Sequence, residues 1–207
     1  MSSSPSVTRS VAPFPAPFDR FRAIFSRALD LPKECFPEPN AMALATVTPD
    51  GRPSVRIVLL KGFDERGFVF YTNYEGRKGV ELHATPHAAL CFHWAPLDTQ
   101  IRIEGPVQAV TAEEADAYFA SRARLSQIGA WASTQSRPIA EPGDLERRVA
   151  EVTAQYEGQP VPRPSYWSGF RLVPDRIEFW HAKPNRLHDR HLYIRSDDGW
   201  KIETLYP

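Results

Sequence analysis

Four short runs of this chain gather cations beside small polar or aromatic residues: Arg56-Ile-Val-Leu-Leu-Lys61, Gly76-Arg77-Lys78, Arg122-Ala-Arg124-Leu-Ser126 and Arg186-Leu-His188-Asp189-Arg190. With Lys+Arg 25 against Asp+Glu 25, the protein has no global field to draw nucleic acid or an anionic membrane, so any anion site must be a local cluster such as these. Guanidinium and ammonium groups flanked by hydroxyls suit phosphate, which accepts several charge-assisted hydrogen bonds. On a strand of period two, Arg56, Val58 and Leu60 share one face and Lys61 the other, which would give two neighbouring pockets one cation each. The plain alternative is a pair of solvated cations at strand ends. Gly76-Arg77-Lys78 follows Tyr71-Thr72-Asn73 at an expected helix start, where backbone N–H groups and cations together can hold a phosphate. Without an anion, a basic first turn opposes the helix dipole.

Tyr118, Arg122 and Ser126 recur every four residues, so one helical face would present a phenol, a guanidinium and a hydroxyl to a phosphate monoester. An ordinary surface set has the same spacing. Arg186, His188 and Arg190 lie on one side of an extended segment and repel unless an anion, or Asp189 with other carboxylates, sits among them. The chain shows no nucleophile elbow, HExxH, paired-carboxylate, Walker or dinucleotide-binding pattern. Many anion ligands with few acid–base groups leave the difficult chemistry to a bound cofactor.

Elements of alternating period must position these groups. Phe18, Phe21, Ile24, Phe25 and Leu29 fit an amphipathic helix stopped by Pro32. Ala41–Thr48, the turn Pro49-Asp50-Gly51 and Pro53–Leu60 read as a hairpin, followed by strands at Phe68–Asn73, Ala88–Trp94 and Gln100–Val110. A short helix is expected within Glu75–Ala84. Thr111-Ala-Glu-Glu opens a capping box, and Leu145, Val149, Val152 and Tyr156 mark another helix. Strands then return at Tyr166–Val173, Arg176–His181, His191–Arg195 and Trp200–Thr204, with a tight turn at Asp197-Asp198-Gly199. The pattern predicts one α+β domain at 18–207, mainly antiparallel β around a closed or nearly closed barrel with peripheral helices, behind a flexible Ser/Pro-rich tail at 1–17. Cys35 and Cys91, in no metal-ligand spacing, read as ordinary thiols of a reducing compartment, and no leader or apolar span is evident, so a cytoplasmic protein without metal is expected.

From about Pro39 onward the chain resembles the bacterial pyridoxamine/pyridoxine 5′-phosphate oxidase family. The resemblance rests on Arg56-Ile-Val-Leu-Leu-Lys61, Phe70-Tyr-Thr-Asn73, Arg77-Lys78, Ser126-Gln-Ile-Gly-Ala-Trp131, Gln135-Ser136, Ile177-Glu-Phe-Trp180 and Arg186-Leu-His-Asp-Arg190. It implies a homodimer of FMN-binding split barrels with FMN at the subunit interface. Arg56, Lys78 and Ser136 would hold the flavin phosphate. The run from Arg56 through Ile57, Val58, Leu59 and Leu60 to Lys61, with Tyr71, Thr72, Arg77, Gln100 and Gln135, would line the rest of the cofactor site, and Trp180 and Arg190 would reach it from the partner subunit. Lys61, Tyr118, Arg122 and Ser126 would bind the substrate phosphate, with Arg186 and His188 as the catalytic pair at the pyridine ring. The implied reaction takes pyridoxamine or pyridoxine 5′-phosphate to pyridoxal 5′-phosphate with O2 as acceptor, releasing H2O2. One departure is that the family's N-terminal Arg-x-x-Tyr segment does not occur between Met1 and Phe18, which implies a shorter or different lid.

Overall fold

The computed structural model describes residues 15–207, and its first regular element is helix α1 (Pro17–Leu29). Proline suits a first helical position because its missing N–H would have had no partner there. The expected tail and the absent Arg-x-x-Tyr segment fall largely in residues 1–14, outside the described residues. Eight elements follow in the first half: β1 (Ala41–Val47), β2 (Pro53–Leu59), β3 (Gly62–Asp64), β4 (Gly67–Asn73), α2 (Arg77–Ala84), β5 (His87–Trp94), β6 (Thr99–Ala109) and α3 (Ala112–Ala120). The remainder are α4 (Arg124–Ala132), α5 (Asp144–Gln155), β7 (Trp167–Leu172), β8 (Arg176–His181), β9 (Asp189–Ser196) and β10 (Gly199–Thr204). Among the strands and α-helices, only β3 and the division of the Tyr118–Ser126 segment between two helices were not foreshadowed. Three residues are too few to display a period of two.

The sheet runs β10-β9-β8-β6-β5-β1-β2, with antiparallel pairing throughout. Strand β6 joins its two halves. Its residues Thr99–Glu104 pair with β8, while Val107–Ala109 pair with β7, which continues to β4 and β3. Beyond the end of β2, the Lys61 N–H donates to the Val69 carbonyl of β4 at 2.9 Å, so the sheet curls back on itself. Alternation sends Met42, Leu44, Leu90, Phe92, Ile101, Ile103, Ile177 and Phe179 into one core. Helix α1 closes that core with Phe21, whose ring lies 4.8, 4.9 and 5.3 Å from those of Phe63, Phe68 and Phe92. Phe21→Ala should cost about 3–5 kcal/mol through lost transfer energy and an unfilled cavity. Urea unfolding checks this, and a loss below about 1 kcal/mol would show that the site collapses freely.

The opposite face of the sheet is built differently. Ala43 and Ala45 of β1 and Cys91 of β5 leave it shallow, and on β2 Val55 and Ile57 remain 69% and 64% exposed. Exposed apolar residues gathered on a strand face mark a contact surface. Among the described residues no helix is long and apolar enough to cross a membrane, and no group of three or more His, Cys, Asp or Glu could hold a metal ion.

Candidate active site

A cleft of about 500 Å³ opens where the end of β2 meets β4, α2 and the connection between α3 and α4. Ile57, Val58, Leu59 and Lys61 line it from one wall, and Tyr71 and Thr72 from β4. Lys78 of α2 and Gln135, beyond α4, close the far end. Leu60 departs from its run: strand alternation turns it into the core, 5% exposed, against a separate apolar cavity shared with Phe25, Phe36 and Phe63.

Tyr118, Arg122 and Ser126 all line the cleft, but not from one helical face. Helix α3 ends at Ala120 and α4 begins at Arg124, so Arg122 sits in the break between them. Buried Gln127 stabilises the break by donating to the Phe119 and Ala120 carbonyls at 2.9 and 3.3 Å, satisfying oxygens that a continued helix would have bonded. The three residues thus share the cleft through a helix break and not through a common helical face. The Arg122 guanidinium lies 4.6 Å from the Trp167 ring centroid and 5.5 Å from that of Phe119. Burial pushes its pKa down, and its Nη1 is buried without a hydrogen-bond partner. An orphaned buried donor on a cation is costly unless an acceptor arrives. With the Lys61 ammonium 6.0 Å from the Tyr118 ring, this end of the cleft is built for an anion.

The other end also collects anion donors. Lys78 Nζ donates to Gln135 Oε1 at 2.9 Å, and the Arg77 backbone N–H donates to Ser136 Oγ at 3.3 Å. This ties residues 135 and 136 to the first turn of α2, which has no side-chain cap at Gly76. Gly79 lets the helix lie close, since a Cβ there would meet the Tyr74 carbonyl oxygen at 2.3 Å. Burial, then the Arg56 charge, push the Lys78 pKa down, against a smaller upward pull from Glu81. Arg56 itself, on the inner face of β2, donates to Glu81 Oε2 at 3.1 Å and to Ser54 Oγ at 2.6 Å. Burial would raise the Glu81 pKa, but hydrogen bonds from Thr46, Ser54, Arg77 and Arg56 hold it at about 2. Because that lies below its ordinary 4.5, Glu81 contributes stability that is complete above the ordinary value and is lost as the pH falls toward 2. Urea melts of wild type and Glu81→Gln at about pH 6 and about pH 3 should show a smaller acid loss in the variant, and equal losses would contradict it.

Of the expected site residues, Arg56, Arg77, Ser136, Arg186 and His188 do not line the cleft, and neither do Gln100, Trp180 and Arg190. The last three form a single row across β6, β8 and β9, because Gln100 pairs with Trp180 and Trp180 with Arg190. Gln100 therefore travels with the two residues expected from a partner, not with Tyr71 and Thr72. The run Arg186 to Arg190 is not extended throughout. Pro184–Arg186 forms a single 3-10 turn with Asn185 and Arg186 at φ 60° and 61°, and β9 begins only at Asp189. Arg186 is exposed, while the His188 ring lies 4.5 Å from Trp180 and its Nδ1 accepts from the Lys183 N–H at 3.2 Å. Two cations here already have carboxylates, Asp189 on Lys183 at 2.6 Å and Glu178 on Arg190 at 2.7 Å.

Asn73 and Trp167 also line the cleft, and Glu81 and Glu178 pair with Arg56 and Arg190 outside it, yet neither pair was anticipated. Trp167 was indistinguishable from a core strand residue. The Glu81 cluster had a legible trace, since the hairpin register sets Thr46 opposite Ser54. The donor set fits a flavin mononucleotide plus a phosphorylated substrate: a cationic, hydroxyl-bearing corner at α2, an orphaned guanidinium at the α3–α4 break, and an indole in the second row.

The family model described as pyridoxamine 5′-phosphate oxidase matches residues 30–159, and that of the pyridoxine 5′-phosphate oxidase C-terminal dimerisation region matches residues 167–207. A pyridoxine/pyridoxamine 5′-phosphate oxidase of Myxococcus xanthus is 63% identical over 194 residues, covering 93% of this chain and 92% of the relative. One from Gluconobacter oxydans is 62% identical over 170 residues, covering 82% and 85%. Among solved structures, PhzG from Burkholderia lata, in complex with tetrahydrophenazine-1-carboxylic acid, superposes with a TM-score of 0.85 at 32% identity, covering 94% of each chain. A pyridoxamine 5′-phosphate oxidase-related, FMN-binding protein of Nostoc punctiforme, at TM-score 0.73 and 20% identity over 94% of this chain and 100% of that one, shares the fold.

Proposed function

The chain belongs to the pyridoxamine 5′-phosphate oxidase family, and from that premise we propose that it oxidises pyridoxamine and pyridoxine 5′-phosphates to pyridoxal 5′-phosphate as an FMN-dependent homodimer. The observation that carries the substrate class is the buried Arg122 Nη1, partnerless beside Lys61, Tyr118 and Ser126. Two hydroxyls, an ammonium and a guanidinium match the oxygens of a phosphate monoester. A carboxylate such as that of the tetrahydrophenazine-1-carboxylic acid bound by the Burkholderia lata relative offers these four donors two acceptor oxygens where a phosphate monoester offers three, and the 62–63% identity to oxidase relatives against 32% to that one favours the ester.

FMN fits the other groups. Arg56, Lys78 and Ser136 would hold its phosphate, Tyr71, Thr72, Arg77 and Gln135 its nearer portion, and Gln100, Trp180 and Arg190 would reach it from the partner subunit. When bound, FMN supplies the hydride acceptor, with O2 as the final oxidant and H2O2 as its product. The chain's own contribution is position. Lys61, Tyr118, Arg122 and Ser126 anchor one end of the substrate and thereby fix its reacting carbon, turning binding into orientation. Trp167 covers one face of Arg122 and keeps water from it. Arg186 and His188 would bear on the pyridine ring, with His188 held against Trp180.

FMN-loaded protein supplied with either phosphate ester should release peroxide and aldehyde in equal amounts, and the dephosphorylated alcohol should be a far poorer substrate. No turnover of either ester at full flavin occupancy would sink the assignment.

A further inference from the structure

One buried carboxylate stands behind the corner assigned above to the flavin phosphate, and it receives hydrogen bonds from three elements. Glu81 of α2 is 4% exposed. Its Oε2 accepts from Thr46 Oγ1 of β1, from Ser54 Oγ of β2 at 2.7 Å and from Arg56 Nη2 at 3.1 Å. Its Oε1 accepts from Arg77 Nε at 2.8 Å. We propose that Glu81 is a positioning residue that preassembles the cations receiving the flavin phosphate, an inference that rests on the FMN reading above.

The bonding pattern supports this over a plain staple between helix and sheet. Arg77 is bound to Glu81 through Nε and its side chain is 63% exposed, which leaves its terminal nitrogens for another acceptor. Arg56 is gripped by Glu81, Ser54 and Thr46 together, which fixes a long side chain that would otherwise sample many rotamers. Charge accounting points the same way. Arg56, Arg77 and Lys78 crowd one corner, and three cations at close range repel one another. Glu81 offsets one of the three and leaves an excess of two, which matches a phosphate monoester carrying about −1.5 to −2. It also counters the burial and the Arg56 charge that would otherwise favour loss of the Lys78 proton.

The test separates phosphate recognition from fold maintenance by comparing FMN with riboflavin, which lacks only the phosphate. In flavin-fluorescence titrations, wild-type apoprotein should bind FMN much more tightly than riboflavin. Glu81→Gln keeps the shape and removes the charge. It should raise the Kd for FMN about tenfold or more while moving that for riboflavin less than about twofold. Unchanged FMN affinity, or equal weakening of both flavins, would overturn the proposal. Wild type binding both flavins equally would remove the FMN-phosphate reading itself and the proposal with it. Should Glu81→Gln fail to fold, Ser54→Ala takes one hydrogen bond from the same carboxylate and should give an FMN-selective loss of about threefold. A non-selective loss in that variant would count against Glu81 in the same way.

Discussion

Arg122→Ala should raise the KM for pyridoxamine 5′-phosphate by roughly 10- to 150-fold, the equivalent of about 1.5–3 kcal/mol for one charge-assisted hydrogen bond, while the Kd for FMN stays nearly constant. The expectation follows from where the guanidinium lies. It packs on Trp167 at the end of the cleft away from α2, and its unpartnered Nη1 belongs to that end alone. Arg122→Lys should recover little, because an ammonium can neither stack on the indole as a plane nor present a fork of donors. Steady-state kinetics together with flavin titration read both quantities. A primary loss of flavin in Arg122→Ala would contradict the division of the cleft into two phosphate-binding ends.

Arg190→Ala should weaken FMN binding by roughly tenfold or more and leave the dimer associated, since the residue lies in the row with Gln100 and Trp180 and not in the cleft of its own subunit. A mixing experiment gives the sharper result. In a hybrid of one Arg122→Ala subunit and one Arg190→Ala subunit, one composite site carries both lesions and the other carries neither. Random reassociation of equal amounts should then regain about a quarter of wild-type activity from two preparations that are each nearly inactive, as a two-fold dimer with shared sites requires. Mixtures that stay as inactive as their parents would place every ligand of a site within one subunit.

The elements were largely legible because period and punctuation agree along most of this chain. Proline and glycine turns bracket the strands, and Thr111 and Glu114 form the reciprocal cap that their spacing announces, at 3.2 and 3.1 Å. The site was legible as residue types and less so as geometry. Tyr118, Arg122 and Ser126 meet as anticipated, but a helix that stops after Ala120 and restarts at Arg124 brings them together. Local spacing cannot announce such a break, because the side chain that stabilises it, Gln127, resembles any polar residue of a helix. That Gln100 shares a row with Trp180 and Arg190 was hidden for a related reason: its neighbours are set by strand register across β6, β8 and β9, a relation between segments far apart in the chain. The buried glutamates escaped notice because a carboxylate reads as surface until its partners are known.

The interruption between α3 and α4 also changes what sequence drift can do to the substrate pocket. In one continuous helix, a residue gained or lost ahead of Ser126 would swing everything after it by about 100° around the axis. Here the two helices are separately terminated at residues 120 and 124, and Gln127 of α4 reaches back to the Phe119 and Ala120 carbonyls, so a change of length at Ala123 would strain that bridge before it moved Tyr118. The length of the loop that carries Arg122 is thus set by the bridge behind it, and any redesign of this end of the cleft must keep Gln127 within reach of the Phe119 carbonyl.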